Sequence, residues 1–326
     1  MKDERMNRRD FLKTLAQCYL AAHTVTTAPG RPSAAVEPGL PKRTLGRTKE
    51  KVTILGLGTA PVGEGPIGLQ EGLRIFQEAI ELGVNYIDTA RIYGNAEEIL
   101  GHLVPQRRDR LFIATKVWAD TREQAERSLT QSLRLMKLDY VDLVHIHSAG
   151  NRNLDKVLAP KGVLDYLLEQ KERGRIRFIG ISGHNRPDNF VRLLETGQID
   201  VLMCVMNFAD RHTYNFEERV LPVARKHHCG IVAMKVYAGI RGGFPFHKRG
   251  YVGCAVPYQY LKDAVRYALG LEGVSAIMIG PYTGEQVRHN VQLVQQYKPL
   301  SADEYIRLRE YGRELAKKLG PRYGPT

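Results

Sequence analysis

The chain is poor in cysteine. Its four residues (Cys18, Cys204, Cys229 and Cys254) are too dispersed for a CxxC pair, which excludes a zinc ribbon, an iron–sulfur cluster and a dense disulfide framework. There is a single tryptophan, and no uninterrupted apolar stretch reaches the length of a bilayer-spanning helix. A doubly wound dinucleotide-binding sheet would place a Gly-x-Gly-x-x-Gly loop after its first strand. Here Gly56, Gly58, Gly63, Gly65 and Gly68 stand at other spacings, with no acidic ribose partner in place. Negative charge is scarce: 35 Asp and Glu face 48 Lys and Arg, a formal charge of +13. The excess is scattered over Arg107, Arg108, Arg110, Lys171, Arg173, Arg175, Arg177, Lys317 and Lys318. No Arg-aromatic module of a nucleic-acid reader gathers it, so nucleic acid is not an expected partner. Solvated helix faces account for most of it, and a basic rim would attract an anionic phosphate cofactor.

Residues 1–35 stand apart from the rest. Asn7-Arg8-Arg9-Asp10-Phe11-Leu12-Lys13 leads into a modest apolar stretch ending near Val25, and Ser33-Ala34-Ala35 closes the segment. Basic, apolar and small-residue parts in that order are the anatomy of an export signal. Arg8, Arg9, Phe11, Leu12 and Lys13 resemble the twin-arginine pattern position by position, while Gln17 and His23 dilute the apolar part. The expectation is therefore a signal peptide over 1–35, read by the twin-arginine export machinery and directing the protein to the periplasm. Ser33-Ala34-Ala35 offers a weak cleavage site, and an uncleaved signal would act as a membrane tether. Such export carries proteins already folded, typically with a cofactor inserted. Residues 36–326 are left as one folded domain.

From Leu45 onward short β-branched runs alternate with segments of helical period. The runs are Ile54–Gly58, Asn85–Thr89, Leu111–Lys116, Val141–His147, Arg177–Ser182, Val201–Asn207, Gly230–Val236 and Ala276–Gly280. They are nearly continuously apolar, as strands covered on both faces should be. Between them, Leu73, Phe76, Ala79 and Ile80 mark one helix face, stopped by Gly83. Ala125, Leu129, Ser132, Leu133 and Met136 mark a second. Leu164, Leu167, Leu168 and Lys171 mark a third, ended by Gly174. Eight strand–helix units predict a (β/α)8 TIM barrel, an α/β fold in a single domain with a C-terminal helix. Arg43–Val52 reads as a hairpin turning at Gly46-Arg47, placed to plug the barrel bottom.

In such a barrel chemistry collects where strands run into the following loops. The second run ends in Asp88, the third in Lys116 and the fourth in His147, with Tyr93 in the loop after Asp88. A buried carboxylate would keep a neighbouring lysine charged, and the ammonium would lower the pKa of a nearby phenol. A tyrosine tuned in this way can give a proton to a carbonyl oxygen and take it back. A neutral His147 would hold that oxygen by hydrogen bonding. Asp88 alone could be a helix cap and Tyr93-Gly94 a turn, but a lysine ending an apolar strand is costly to bury unless paired. His145 reads as a core histidine. The later strand ends (Ser182, Asn207, Lys235, Gly280) do not complete a metal cluster with it.

These motifs identify the chain as similar to the aldo-keto reductases over almost its whole length after the signal. Arg43-Thr44-Leu45-Gly46 with Leu55-Gly56-Leu57-Gly58-Thr59 resembles the family's opening. Asn85-Tyr86-Ile87-Asp88-Thr89-Ala90 and Ile92-Tyr93-Gly94 resemble the segment carrying its catalytic Asp and Tyr. Ile113-Ala114-Thr115-Lys116 resembles the lysine strand, and Tyr140-Val141-Asp142-Leu143 leading to Ile146-His147 the histidine strand. Gly180-Ile181-Ser182 and Asp200-Val201-Leu202 follow in order, and Ile279-Gly280 with Glu285-Gln286 and Asn290 resembles the segment that holds the cofactor's adenosine half. The resemblance implies NADPH, less often NADH, bound across the mouth, and reduction of an aldehyde or ketone with Asp88, Tyr93, Lys116 and His147 as the catalytic group. It implies cofactor contacts at Gly58, Thr59, Asp88, Ser182, Met203, Met234, Lys235, Gly280, Gln286 and Asn290, with Lys235 facing the phosphates.

Four positions depart from the family pattern. Gly183 replaces an Asn, Met203 a Gln, Met234 an aromatic and Ser148 a Trp. These changes weaken the expected grip on the nicotinamide and remove an aromatic substrate wall. They keep open a second reading, a nicotinamide-binding sensor or partner subunit with little turnover, against which the four intact catalytic positions stand. The loop Arg241–Gly253, with Phe244, Pro245, Phe246 and His247, is expected over the mouth.

Overall fold

The computed structural model describes residues 39–239 and 253–326. The expected signal segment lies outside the described residues, as does the loop expected at Arg241–Gly253 apart from Gly253. Among the described residues ten strands follow one another: β1 Lys42–Thr44, β2 Lys51–Thr53, β3 Leu55–Gly58, β4 Tyr86–Asp88, β5 Phe112–Val117, β6 Val141–Ile146, β7 Ile176–Gly183, β8 Val201–Val205, β9 Gly230–Met234 and β10 Val274–Ile279. Strands β3 to β10 close a parallel barrel in sequence order, with β10 pairing β3. Each of the eight apolar runs supplies one strand.

Successive strand side chains point to opposite faces, so one face of each strand fills the lumen and the other meets the helices. Tyr86, Phe112, Ala114, Leu143, Val201, Met203, Val232, Ala276 and Met278 pack together inside the barrel. Ile87, Ile113 and Val144, one residue out of phase, belong to the larger core outside it. This two-residue alternation places Asp88, Lys116 and His145 on the lumen side, in phase with Tyr86, Ala114 and Leu143.

The helices form where their apolar faces were read. Arg122–Met136 starts at a capping box made by Thr121 and Gln124 and buries Ala125, Leu129, Ser132, Leu133 and Met136. Leu69–Glu81 buries Phe76 and Ala79, with Leu73 and Ile80 partly buried. Val163–Glu172 ends just before Gly174, whose φ of 72° suits a residue without a side chain. The C-terminal helix Ala302–Leu319 opens on a second capping box, from Ser301 and Glu304.

The N-terminal end of the barrel is closed. Strands β1 and β2 pair antiparallel, and Leu45 at their turn is fully buried against the lumen residues. Gly46 has φ of 49°, and a Cβ there would stand 2.2 Å from the Gly230 nitrogen, so the turn rests directly on β9. Arg47 donates from its backbone to His228 O (2.7 Å) and from Nε to Asp200 (3.0 Å). Asp200 also accepts from Lys171 Nζ at 2.8 Å and from the Ile179 amide at 2.9 Å. The plug leaves the opposite mouth as the open end.

Leu45→Ala should therefore cost about 2–5 kcal/mol of stability, as truncation of a fully buried leucine does. Denaturant unfolding measures it; a loss within experimental error would mean that the hairpin does not plug the barrel.

Candidate active site

Asp88 closes β4, and Lys116 lies one residue before the end of β5; both are buried. Lys116 Nζ donates to Asp88 Oδ2 at 2.5 Å and to the Thr89 carbonyl at 2.8 Å. Burial raises the Asp88 pKa and lowers that of Lys116, and the attraction between the two works against both shifts. Outside the barrel wall the fully buried Glu97 adds negative potential felt by Lys116. Glu97 accepts from Thr115 Oγ1 at 2.7 Å and from Arg91 at 2.8 Å.

Tyr93 follows a tight turn in which its amide donates to Ala90 O (2.9 Å). Gly94 then has φ of 47°, and a Cβ there would come within 2.0 Å of Gly63 O. The turn lays the Tyr93 ring over Lys116, with Nζ 4.7 Å from the ring centroid. Part of Tyr93 stays open to the cavity, yet burial is the main cause that pushes its phenol well above the ordinary value, with Asp88 and Glu64 adding to the rise. The depression expected from Lys116 is not found: desolvation and two carboxylates hold the phenol up. Tyr93 keeps its proton at neutral pH.

His147 follows β6 directly and is buried. Its ring meets Tyr93 edge-on, with centroids 5.8 Å apart. Burial holds the imidazole well below its ordinary pKa, helped by Lys116, His184, His145 and Arg152, so it is neutral as expected. His145 is fully buried against Gly180, where a Cβ would stand 2.4 Å from the ring, a core position as read. An aromatic ring does stand beside His147, brought by the neighbouring strand. Trp118, two residues past Lys116, lies 5.2 Å from His147 and is 45% exposed, with the Arg152 guanidinium 4.5 Å from its ring.

A cavity of about 540 Å³ opens beside this group, within the usual range for small-molecule and cofactor sites. Asp88 and Tyr93 line it, together with Gly58, Thr59, Met203, Met234, Lys235, Gly280, Gln286 and Asn290. The structure thus brings nine of the ten expected cofactor contacts to one cavity. The tenth, Ser182, does not line it; it pairs in register with Met203, and its buried Oγ has no hydrogen-bond partner. Asp88 Oδ1 is likewise buried and unpartnered. In the cavity wall itself, Asp88 Oδ1 and Lys235 suit a polar ligand with hydrogen-bonding and phosphate groups. Thr59 donates through both its amide (3.0 Å) and its hydroxyl (3.1 Å) to Asp88 O, so it steadies the strand end.

Other wall residues carried no local signal. Cys254, Tyr258 and Leu261 arrive from a segment far along the chain, and His289 stacks on Tyr258 with centroids 5.7 Å apart. Tyr237 OH donates to Asn290 Oδ1 at 2.8 Å. Trp118 could have been suspected, since it continues the alternation that places Lys116 in the mouth.

A model of the aldo/keto reductase family matches residues 54–248. The L-galactose dehydrogenase of Arabidopsis thaliana is 27% identical over 293 residues, covering 80% of this chain and 90% of the relative. An uncharacterized oxidoreductase of Bacillus subtilis, YqkF, is 27% identical over 289 residues, covering 77% and 90%. Among solved structures, the holo form of the aldo-keto reductase AKR11C1 from Bacillus halodurans superposes with a TM-score of 0.68 at 26% identity, covering 85% of this chain and 96% of that one.

His145, His147 and His184 are all held well below the ordinary histidine value of 6.5, chiefly by burial. Below that pH the unfolded chain binds protons that the folded histidines refuse, so their contribution to stability should fall as pH drops through about 6.5. Urea unfolding across that range tests this; unchanged stability down to about pH 5.5 would mean that the folded histidines titrate normally.

Proposed function

We propose that this chain, a nicotinamide-dependent oxidoreductase that belongs to the aldo/keto reductase family, interconverts an aldehyde or ketone and its alcohol with Tyr93 as general acid and base. One juxtaposition carries the reading: the buried Asp88–Lys116 pair, the Tyr93 ring over the ammonium and the neutral His147 ring beside it. A nicotinamide dinucleotide held in the cavity, NADPH or NADH, would supply the hydride for the carbonyl carbon. Tyr93 O–H gives its proton to the carbonyl oxygen, and the phenolate takes it back in the oxidative direction.

The residues divide the remaining work. A phenol with a raised pKa is a reliable proton carrier but a reluctant donor. The Lys116 ammonium beneath the ring stabilises the negative charge that gathers on the phenol oxygen as the proton leaves. Asp88 holds the ammonium in that position. His147, neutral, donates a hydrogen bond to the same carbonyl oxygen and adds no charge of its own. Trp118 walls the reacting centre and keeps water from competing. Asp88 Oδ1 and, from beside the cavity, Ser182 Oγ would accept hydrogen bonds from the nicotinamide half, and Lys235 would neutralise phosphate charge. One relative is named as a galactose dehydrogenase, so aldoses belong in a parallel panel run in the oxidative direction with the oxidised nucleotide.

Export by the twin-arginine route, from the Arg8-Arg9-x-Phe11-Leu12-Lys13 motif, is the second part of the proposal. Replacing Arg8 and Arg9 together by lysine should leave the protein in the cytoplasmic fraction; unchanged export would exclude this route.

Tyr93→Phe should lower turnover by about 10²–10⁴-fold, the usual contribution of a placed general acid, while nucleotide binding stays close to that of the unaltered protein. Following the nucleotide absorbance with a carbonyl panel, and binding by calorimetry, separates the two effects. Equal loss of both would refute the acid role. Binding without turnover on any carbonyl would favour the sensor reading that the altered positions Gly183, Met203 and Met234 leave open.

A further inference from the structure

We infer that the outer end of the cavity selects a dinucleotide with a free ribose 2′-hydroxyl, so that the chain binds NADH more tightly than NADPH. The inference rests on the reading that this cavity takes a nicotinamide dinucleotide, and it reverses the preference expected from the family resemblance. The cavity runs from the buried Asp88 and Tyr93 to a rim where Tyr258 is 75% exposed. With the nicotinamide at the catalytic group, the adenosine half lies toward that rim. There Tyr258 and His289 stack at 24° between their planes, a flat aromatic surface of the kind on which a purine rests.

The charges at the rim are wrong for a 2′-phosphate. Glu285 lines the cavity beside Thr283, Gln286 and His289. The cation nearest in sequence, Arg288, is bound to Glu78 of the helix Leu69–Glu81. The Glu78 carboxylate presses on the backbone at the start of the helix Gly284–Gln295, where a Cβ on Gly284 would stand 2.1 Å from Oε2. The Thr283 hydroxyl is engaged with the Gln286 amide at 3.2 Å, and the Gln286 carbonyl with the Tyr282 amide at 2.8 Å. Among the described residues lining the cavity, the only Lys or Arg is Lys235, which directly follows β9 and shares the fields of Lys116 and Glu64 near the catalytic group.

A 2′-phosphate carries close to two negative charges and would meet Glu285 and Glu78 with Arg288 already neutralised. A 2′-hydroxyl can instead donate to a carboxylate, as it does to the acidic ribose partner in dinucleotide-binding sheets. The same two groups therefore attract one cofactor and repel the other, which is discrimination by an unfavourable contact as well as a favourable one.

The test is a parallel titration of the full chain with NADH and NADPH, by calorimetry and by quenching of its single tryptophan, Trp118. NADH should bind about tenfold or more tightly than NADPH at low salt, and the gap should narrow as salt screens the carboxylates. Glu78→Gln, which releases Arg288, and Glu285→Gln should each narrow the gap by strengthening NADPH binding. NADPH binding as tightly as NADH, or more so, overturns the inference and leaves the proposed activity standing. A gap that neither substitution changes overturns the assignment to Glu78 and Glu285. Binding of neither nucleotide overturns the inference together with the reading beneath it.

Discussion

The constraint on which the site depends is the burial of a lysine ammonium and an aspartate inside an apolar barrel. Each ion removed from water costs several kcal/mol, and only close mutual contact offsets it. Asp88 and Lys116 meet at 2.5 Å, and the Thr89 carbonyl takes a second ammonium proton. Their neighbours are set by that requirement. The plug at the far end excludes water from below, Glu97 adds potential from outside the wall, and Tyr93 covers the ammonium from above. A pair this confined is a poor source of stability and a good source of fixed geometry.

The consequence for Tyr93 is more demanding than the sequence suggests. From residue types alone, a lysine beside a phenol argues for a depressed pKa. In the folded chain the phenol shares its surroundings with Asp88 and Glu64, and burial penalises the phenolate directly. Before a ligand enters, the ammonium's field is largely spent on its carboxylate partner. The balance changes where charge develops during reaction, because Lys116 sits under the ring whereas the neutral His147 offers a hydrogen bond without an opposing charge. In the proposed reaction the arrangement acts on the transition state more than on the resting acid.

The fold was legible because its signal is local and repeated. Each strand carries a short apolar run, and each of the main helices a face marked every three or four residues. Even the parity that sends Asp88 and Lys116 inward can be counted from Tyr86 and Phe112. The four residues of the proposed catalytic group were legible for the same reason, since each lies at or just past a strand end. What escaped is what depends on distant segments meeting. Tyr258 and His289 are 31 residues apart in sequence and form one surface only after the barrel closes. Trp118 brings a ring to His147 from a neighbouring strand, a contact invisible when one position is compared at a time. The Tyr93 shift escaped because desolvation depends on everything that surrounds a group.

The two ends of the cavity obey different rules. At the catalytic end Asp88, Lys116 and His147 are buried, so a substitution there disturbs a neighbour's charge as well as its own position. At the rim Glu285, Arg288 and Glu78 lie near solvent, where their pairing is weak and screened. A rim of this kind can exchange one charge for another without disturbing the barrel, because none of its members supports the core. The hydride chemistry is therefore tied to the fold, whereas the choice between two cofactors that deliver the same hydride rests on a few exposed carboxylates.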